Sequence, residues 1–388
     1  MRIVVFGWLI LSQAALFAQN VTGRVLDKTT GEPMQFATVY FSQTLIGTTT
    51  DQNGNFTLKN IDPGKYNLIA TYVGYRSLPL EIEIKAGENY EVILHMTPEA
   101  VRLREVEITA SNEDREIFLD YFRKAFIGYS KAAQSCKILN EDEIIFHLDE
   151  YNNLNAYLER PVEVLNKELG YKVYYDLYDF QYNLKTSYLR MYGIPRFENI
   201  REKTKRKWVR SRKRSYEGSL LHFFNSITKD SSYRESFKIK RLTRIPNEKR
   251  LPDSVLRAKL RYFFDKNDAE KFQDSINFYT KNQRLPRYKD IVGNEHSLKS
   301  IVNRDGNKYY LKGGAYYIEH LTQLIKPVKG FWVRPSEETI SRLFIMDEKF
   351  TIYPNGYVED ASRIYVEGYW AWSEKVGNML PLSYNPQD

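Results

Sequence analysis

Residues 20–98 alternate apolar and polar positions in short runs that are separated by turn residues. The runs FATVYFSQT, KYNLIATYVGYRS and YEVILHM are rich in β-branched and aromatic residues, which favour strands. Gln52-Asn53-Gly54, between two such runs, is typical of an Asn-Gly β-hairpin turn. The pattern predicts seven short strands, and strands at this spacing are typical of a β-sandwich, which we place at residues 19–98.

After a predicted linker strand over 99–111, the pattern changes to helical spacing. Apolar residues three and four positions apart predict a helix over Asn112–Tyr129. Asn112 is a suitable N-cap, although Arg115 stands where a capping box would have Glu. Residues 140–200 then predict a run of strands separated by turns, including EIIFHLDEY and YKVYYDLYDFQYNL.

The remaining half of the chain, residues 201–388, mixes helical and strand-like patterns. Trp208 and the apolar positions that follow it predict one basic amphipathic helix at about 202–228. A further helix is predicted over 266–280, and YYLKGGAYYIEHL and KFTIYPNGYVED predict strands. The whole pattern predicts an all-β N-terminal sandwich followed by an α+β domain over 112–388.

The first eighteen residues have the layout of a cleaved secretory signal peptide. Arg2 supplies a positive start, Ile3–Leu11 is apolar, and small residues lead to Ala18. The apolar run is too short to span a bilayer, which takes about 20 residues, and no later run approaches that length. We therefore expect an exported chain, periplasmic or associated with the outer membrane, cleaved near Ala18 and without a transmembrane segment.

The formal net charge of +8 is concentrated in one part of the sequence. Residues 20–98 contain six Lys/Arg and eight Asp/Glu, whereas residues 201–250 contain 17 Lys/Arg and five Asp/Glu. A local basic patch can be a binding surface for anions. An exported protein rarely meets nucleic acid, so an anionic lipid, an acidic glycan or an envelope protein is the expected partner.

The strongest basic cluster is KTKRKWVRSRKR, residues 203–214. Cations near a helix N-terminus oppose the helix dipole at about 0.3–1 kcal/mol each, which favours a bound anion or an acidic partner there. A merely solvated helix face is the open alternative. The candidate contacts for an anion or a partner are Lys203, Lys205, Arg206, Lys207, Arg210, Arg212, Lys213 and Arg214.

Other chemistry-bearing residues form no recognisable catalytic pattern. His147-Leu148-Asp149-Glu150 has the spacing of two zinc ligands, but the flanking sequence predicts a strand, where such positions point to opposite faces. His222 lies in an apolar stretch and is expected in the core. The motifs of nucleophile elbows, metalloproteases and phosphate-binding loops are absent from the sequence. We predict no catalytic residue, metal or cofactor.

Three further candidates are better explained by packing. Cys136, the one cysteine, excludes an intramolecular disulfide and is expected to be an inert buried thiol. Tyr369-Trp370-Ala371-Trp372 could stack on a sugar ring, but an aromatic run near a chain end more often fills a core. The pair Tyr316-Tyr317 leaves the same two alternatives open.

The N-terminal motifs also carry a family resemblance. The segments GRVLDKTTGEPMQFATVYF, GTTTDQNGNFTLKNI and PGKYNLIATYVGYRS resemble the carboxypeptidase-regulatory-like domain, a transthyretin-like β-sandwich. The matching positions are Gly23, Gly31, Pro33, Ala37, Asp51, Gly54, Phe56, Gly64, Tyr66, Gly74 and Tyr75. The resemblance implies an accessory module of envelope proteins, including outer-membrane nutrient receptors, with no catalytic residues of its own. The C-terminal region resembles that of exported proteins with no assigned activity.

These observations favour a non-catalytic binding or structural component of the cell envelope, docking a partner protein or anionic surface material. Two alternatives remain open. One is a hydrolase of peptides or glycans whose site no motif reveals, and the other is an accessory to an outer-membrane nutrient receptor.

Overall fold

The computed structural model describes residues 19–76, 79–99, 112–228, 236–265, 271–320 and 340–386. The predicted signal peptide, 1–18, and all of the predicted linker strand except its first residue lie outside these ranges and stay predictions. No helix within the described ranges is both long and apolar enough to cross a bilayer.

The chain divides into two compact units. The first comprises the described residues of Met1–Ser215, together with Tyr353–Tyr357 and Val376–Asp388. The second comprises those of Tyr216–Ile352 and Val358–Lys375. The predicted domain boundaries at 98 and 111 stay predictions.

An all-β sandwich opens the first unit, as the pattern predicts. Eight strands among residues 19–76 and 79–99 form two four-stranded sheets, with strand orders β4-β1-β8-β6 and β3-β2-β5-β7. Apolar side chains from both sheets, including Val25, Phe56 and Leu68, meet in one buried core. The strands are β1 (Gln19–Asp27), β2 (Thr38–Phe41), β3 (Gly47–Thr49), β4 (Asn55–Ile61), β5 (Gly64–Thr71), β6 (Tyr75–Arg76), β7 (Leu80–Ile84) and β8 (Tyr90–Pro98).

Two details of the predicted sandwich were wrong. The run 65–77 forms two strands and not one, so the sandwich has eight strands where seven were predicted. The chain turns at Gly74 (φ +82°), and β6 pairs in the opposite sheet from β5. The Asn53-Gly54 turn does not close a hairpin, since β3 and β4 belong to different sheets. The carboxylate of Asp51 accepts the backbone N–H groups of Asn53 and Asn55, which stabilises this turn between the sheets.

A second sheet and a helix complete most of the first unit. The strand order is β10-β11-β13-β12-β9, with β14 paired along β13. Phe118, Phe122 and Phe126 of the helix pack on this sheet. The elements are α1 (Asn112–Phe126), β9 (Cys136–Ile138), β10 (Ile145–Leu148), β11 (Asn153–Tyr157), β12 (Val162–Asn166), β13 (Tyr171–Asn183) and β14 (Leu189–Asn199).

The predicted helix at 112–129 is confirmed as α1, which ends three residues early, before Gly128 (φ +91°). Arg115, which stands at the capping-box position, binds backbone carbonyl groups outside the helix. Its guanidinium donates to the carbonyl oxygens of Ile144 at 2.7 Å and Glu141 at 2.9 Å.

The single helix predicted at 202–228 was wrong, because two helices form there. They are α2 (Arg206–Tyr216) and α3 (Leu220–Thr228). Gly218 between them has φ +80°, a left-handed conformation that ends α2. Most of the basic residues belong to α2, whereas Phe223, Phe224 and Ile227 belong to α3 and enter the core of the second unit.

The second unit is built on a sheet of strand order β16-β15-β18-β19-β20, with β17 paired to β18. The helix predicted at 266–280 is α5, which starts later than expected, and the preceding α4 was missed. Phe223 and Phe224 of α3 enter the core with Leu311, Phe350 and Trp370. The elements are β15 (Phe237–Pro246), α4 (Asp253–Phe264), α5 (Gln273–Gln283), β16 (Tyr288–His296), α6 (Leu298–Ile301), β17 (Val302–Asp305), β18 (Lys308–His320), β19 (Ile340–Ile352), β20 (Ile364–Gly368) and α7 (Tyr369–Ser373).

Candidate functional site

The basic segment forms a loop and then α2, whose inner face is anchored on the turn between β12 and β13. Side chains of α2 donate hydrogen bonds to three consecutive residues of that turn. Trp208 Nε1 donates to the Lys167 carbonyl oxygen at 3.1 Å, and Ser211 Oγ donates to Glu168 Oε1 at 2.8 Å. The guanidinium of Arg212 donates through Nε to the Leu169 carbonyl oxygen at 2.8 Å. The orientation of α2 is thereby fixed.

Glu168 is a buried acid at the centre of this anchor. Its side chain is 6% exposed and pairs with Lys207 Nζ at 2.7 Å and Lys131 Nζ at 3.9 Å. Burial on its own would raise the pKa of this carboxyl, but the hydrogen bonds from Lys207 and Ser211 outweigh it and lower the pKa. Glu168 therefore stays ionised and holds α2 in place.

The outer face of α2 is a continuous strip of exposed cations. At about 100° per residue, five of them fall within an arc of about 120°. Ser211, Trp208 and Arg212 occupy the opposite, buried side. We call the strip the basic face of α2, and it consists of Arg206, Lys207, Arg210, Lys213 and Arg214.

The cations of this strip are poorly compensated. Arg206, Arg210 and Lys213 have no acidic partner within the part of the chain that the structure describes. The first turn of α2 contains no acidic residue, and Arg206, Arg210 and Arg214 repeat at four-residue spacing, which is repulsive for like charges. The electrostatics of the isolated helix are therefore unfavourable.

Seven of the eight candidate contacts are exposed, and Arg212 is the exception. Lys203 and Lys205 lie in the loop before α2, where the ammonium of Lys205 is 5.3 Å from the centroid of a ring of Trp208. Arg212 is 8% exposed and stacks on Tyr171. The sequence pattern did not separate it from its neighbours, because its burial depends on the distant turn at Leu169.

Arg212 also lines a cleft of about 270 Å³, which the sequence did not reveal. Leu45, Tyr171 and Val209 form part of its wall, and Pro381 to Asn385 supply another part. Turn chemistry at Gly170 (φ +74°) could have been suspected from the sequence. The approach of the 381–385 segment had no sequence signal.

The histidines do not gather into a metal site. Among the described residues, no group of three or more His, Cys, Asp or Glu side chains could hold a metal ion. His147 lies in β10, as the flanking pattern predicts, and Glu150 lies in the turn after it. His222 is buried in the second unit, its ring centroid 5.6 Å from that of His320. Burial lowers the pKa of both imidazoles to about 4.

The remaining candidates mostly serve packing. Trp370 is 1% exposed in the core and donates through Nε1 to the Gly218 carbonyl oxygen at 2.7 Å. Tyr316 is buried and donates to the Lys312 carbonyl oxygen, whereas Tyr317 is half-buried. Burial raises the pKa of the Cys136 thiol to about 12, so it is protonated at neutral pH.

Comparison with known proteins finds one family model that matches the sandwich. The family model of the CarboxypepD_reg-like domain matches residues 21–108. This part of the chain is therefore similar to the carboxypeptidase-regulatory-like domain. The match covers less than half of the sequence, and the α+β part lies outside it. A search of curated proteins found no match for the chain.

Solved structures match parts of the chain with low overall similarity. The major pilin subunit BcpA of Bacillus cereus is 15% identical, with 21% of this chain and 30% of that chain covered and a TM-score of 0.19. The 5-hydroxyisourate hydrolase of Klebsiella pneumoniae is 20% identical, with 21% and 92% covered and a TM-score of 0.18. A DUF3823 family protein from Bacteroides ovatus is 10% identical, with 48% and 82% covered and a TM-score of 0.18.

This chain spans less than half the length of the first solved structures that it matches. At these TM-scores the likenesses carry no argument about activity.

Proposed function

We propose that this chain is a non-catalytic binding or structural component of the cell envelope, whose basic face of α2 docks on anionic surface material. The N-terminal domain is of a kind that serves as an accessory module, and the leading residues have the pattern of an export signal. The ligand class is an anionic lipid or acidic glycan surface.

One observation carries the proposal: the basic face of α2 is presented rigidly to solvent. A solvated face would tolerate these cations, but it would gain nothing from their alignment. The inner anchor through Trp208, Ser211 and Arg212 fixes the helix, so little conformational entropy is lost when an extended anion binds. A row of aligned cations attracts a polyanion more strongly than scattered ones.

The test is a comparison of the mature chain with a triple variant, Arg206→Gln, Arg210→Gln and Lys213→Gln. These three cations have no acidic partner among the described residues, so their removal breaks no ion pair there. Binding is measured by co-sedimentation with phosphatidylglycerol vesicles, with phosphatidylcholine vesicles as the neutral reference, and by retention on heparin. At about 1 kcal/mol per cation near an anionic surface, we expect affinity for the anionic vesicles to fall on the order of 100-fold.

A matched control separates the basic face from net charge. Lys259→Gln, Lys281→Gln and Lys289→Gln remove three exposed cations of the second unit, and we expect this variant to bind as the parent does. Added salt should weaken the parent's binding, because exposed charges are screened. Equal losses in the two triple variants, or retention on heparin that salt does not weaken, would refute docking by the basic face.

A further inference from the structure

The guanidinium of Arg212 is held in place on two sides. Nε donates to the Leu169 carbonyl oxygen at 2.8 Å, and Nη2 donates to Asn199 Oδ1 at 3.3 Å. The guanidinium carbon lies 4.0 Å from the centroid of the Tyr171 ring. A planar cation stacked and hydrogen-bonded in this way has a fixed direction for its remaining N–H groups.

Within the described ranges, Arg212 lacks an acceptor for some of these N–H groups and a counterion for its charge. The two hydrogen bonds leave Nη1 with no acceptor in the described ranges, and no carboxylate there pairs with Arg212. A buried arginine with no counterion is costly, because its desolvation is not repaid by an opposite charge. The side chain is thus oriented to receive an anion.

The cleft beside Arg212 has the composition of a small binding site. Its walls are mainly apolar, from Leu45, Val209 and Pro381, and Arg212 is the only charged residue among those that line it. Its volume of about 270 Å³ lies just below the usual range for drug-sized ligands, so it suits a smaller molecule. Thr204 lines the cleft, and its neighbours in the sequence are Lys203 and Lys205. The charges of these two lysines raise the local concentration of anions.

The charge balance selects the kind of anion. One guanidinium neutralises one negative charge, so a dianionic phosphate would leave excess charge against apolar walls, which is unfavourable. A carboxylate carries a single charge, and its two oxygens fit the N–H geometry of arginine. The apolar walls then favour an apolar body on the ligand.

We propose that the cleft binds a small organic carboxylate, with its oxygens on Nη1 of Arg212 and its apolar body against Leu45, Val209 and Pro381. This goes beyond the proposed function, because the cleft and the basic face of α2 are different sites with different ligands.

Binding is tested by isothermal titration calorimetry and ligand-observed NMR on the mature full chain. The probe is benzoate, with benzamide as its neutral counterpart and inorganic phosphate as the small polyvalent anion. We expect benzoate to bind at least about tenfold more tightly than benzamide or phosphate, since a charge-assisted hydrogen bond is lost or an extra charge is buried. Absence of benzoate binding, or equal binding of benzoate and benzamide, overturns the proposal.

Variants locate the binding. Arg212→Met keeps most of the apolar stem and removes the charge, so it should abolish benzoate binding. Arg201→Met, the same change at an exposed arginine that does not line the cleft, should leave it unchanged. Because Arg212→Met also loses two hydrogen bonds, Thr204→Trp provides a second test that fills the cleft and leaves Arg212 in place. Unaltered benzoate affinity in Thr204→Trp overturns the proposal even if Arg212→Met fails to fold.

The proposals for the cleft and for the basic face of α2 can be refuted separately. Anionic-vesicle binding without benzoate binding refutes the carboxylate site alone. Benzoate binding that depends on Arg212, without vesicle binding, refutes the proposed function alone.

Discussion

At the scale of single residues, Gly170 shows how one backbone position holds the candidate site. Its φ of +74° is left-handed, and a Cβ there would lie 2.2 Å from Cδ2 of Trp208. The indole must therefore lie directly on the glycine for α2 to dock on the turn. The sequence suggests a turn at this glycine, but only the structure shows which ring covers it.

We predict that Gly170→Ala destabilises the first unit more than the same substitution at a matched glycine, Gly87. Gly87 has φ +81° with nothing within 4 Å of its Cβ position, so Gly87→Ala imposes only left-handed strain, about 1 kcal/mol. Gly170→Ala adds the clash with Trp208, a further cost of about 1–3 kcal/mol. Urea unfolding of both variants measures the difference. Equal losses would mean that the indole moves freely and does not anchor α2.

At the scale of elements, α3, β15 and β18 bring two neutral histidines together. The rings of His222 and His320 both contact Phe237, with centroids 4.9 and 5.0 Å away. Burial lowers both pKa values from 6.5 to about 4, and for His222 the neighbouring His320 lowers it further. Between pH 6.5 and pH 4, these histidines bind protons in the unfolded chain but not in the folded chain.

We therefore predict that this unit loses stability as pH falls from 6.5 to 4, by at most about 1.36 kcal/mol per pH unit for each histidine. Glu374, whose pKa burial raises to about 7, acts in the opposite direction, because its folded form takes up a proton first. His222→Asn keeps an acceptor for the Gly218 N–H and removes one titrating group. Its unfolding free energy should therefore fall less between pH 6.5 and pH 4 than that of the parent. Unfolding free energies at several pH values decide this, and equal slopes would exclude a role for His222.

Element types were more predictable than element ends. The strands of residues 140–200 and helix α1 follow from local periodicity and turn residues. The division of 202–228 into α2 and α3 was missed, although Gly218 is a local signal, because the apolar spacing continues across it. Helix α4 was missed since only Leu256 of its residues is buried, which leaves a weak apolar pattern.

At the scale of the whole molecule, the predicted export of the chain would decide which anions it meets. We predict that expression in a Gram-negative host gives a periplasmic or envelope-associated product that begins at Gln19, because the apolar run and the small residues up to Ala18 are typical of a signal peptide. Intact mass and N-terminal sequencing of each fraction measure this. A double variant, Leu9→Arg and Ile10→Arg, interrupts the apolar run and should stay unprocessed. Unprocessed parent protein in the cytosol would reopen nucleic acid as a partner.

The sandwich is less separate from the rest of the first unit than its sequence suggests. Tyr40 of β2 donates its hydroxyl hydrogen to Asp176 of β13 at 2.8 Å, and the Gln43 N–H donates to the Pro195 carbonyl oxygen at 2.7 Å. Burial raises the pKa of Asp176, while the bond from Tyr40 lowers it. Such contacts join surfaces far apart in the chain, and no local pattern predicts them.

The sequence by itself determined the sandwich, the α+β composition after it and the position of the basic segment. Each of these depends on periodicity, turn residues or charge within a short stretch, so it can be seen locally. Only the tertiary structure decided that Arg212 is buried while the other basic residues of 203–214 face solvent, and that residues 381–385 complete a cleft beside it. Burial depends on which distant surfaces pack together, and the free energy of that packing is a property of the folded chain as a whole.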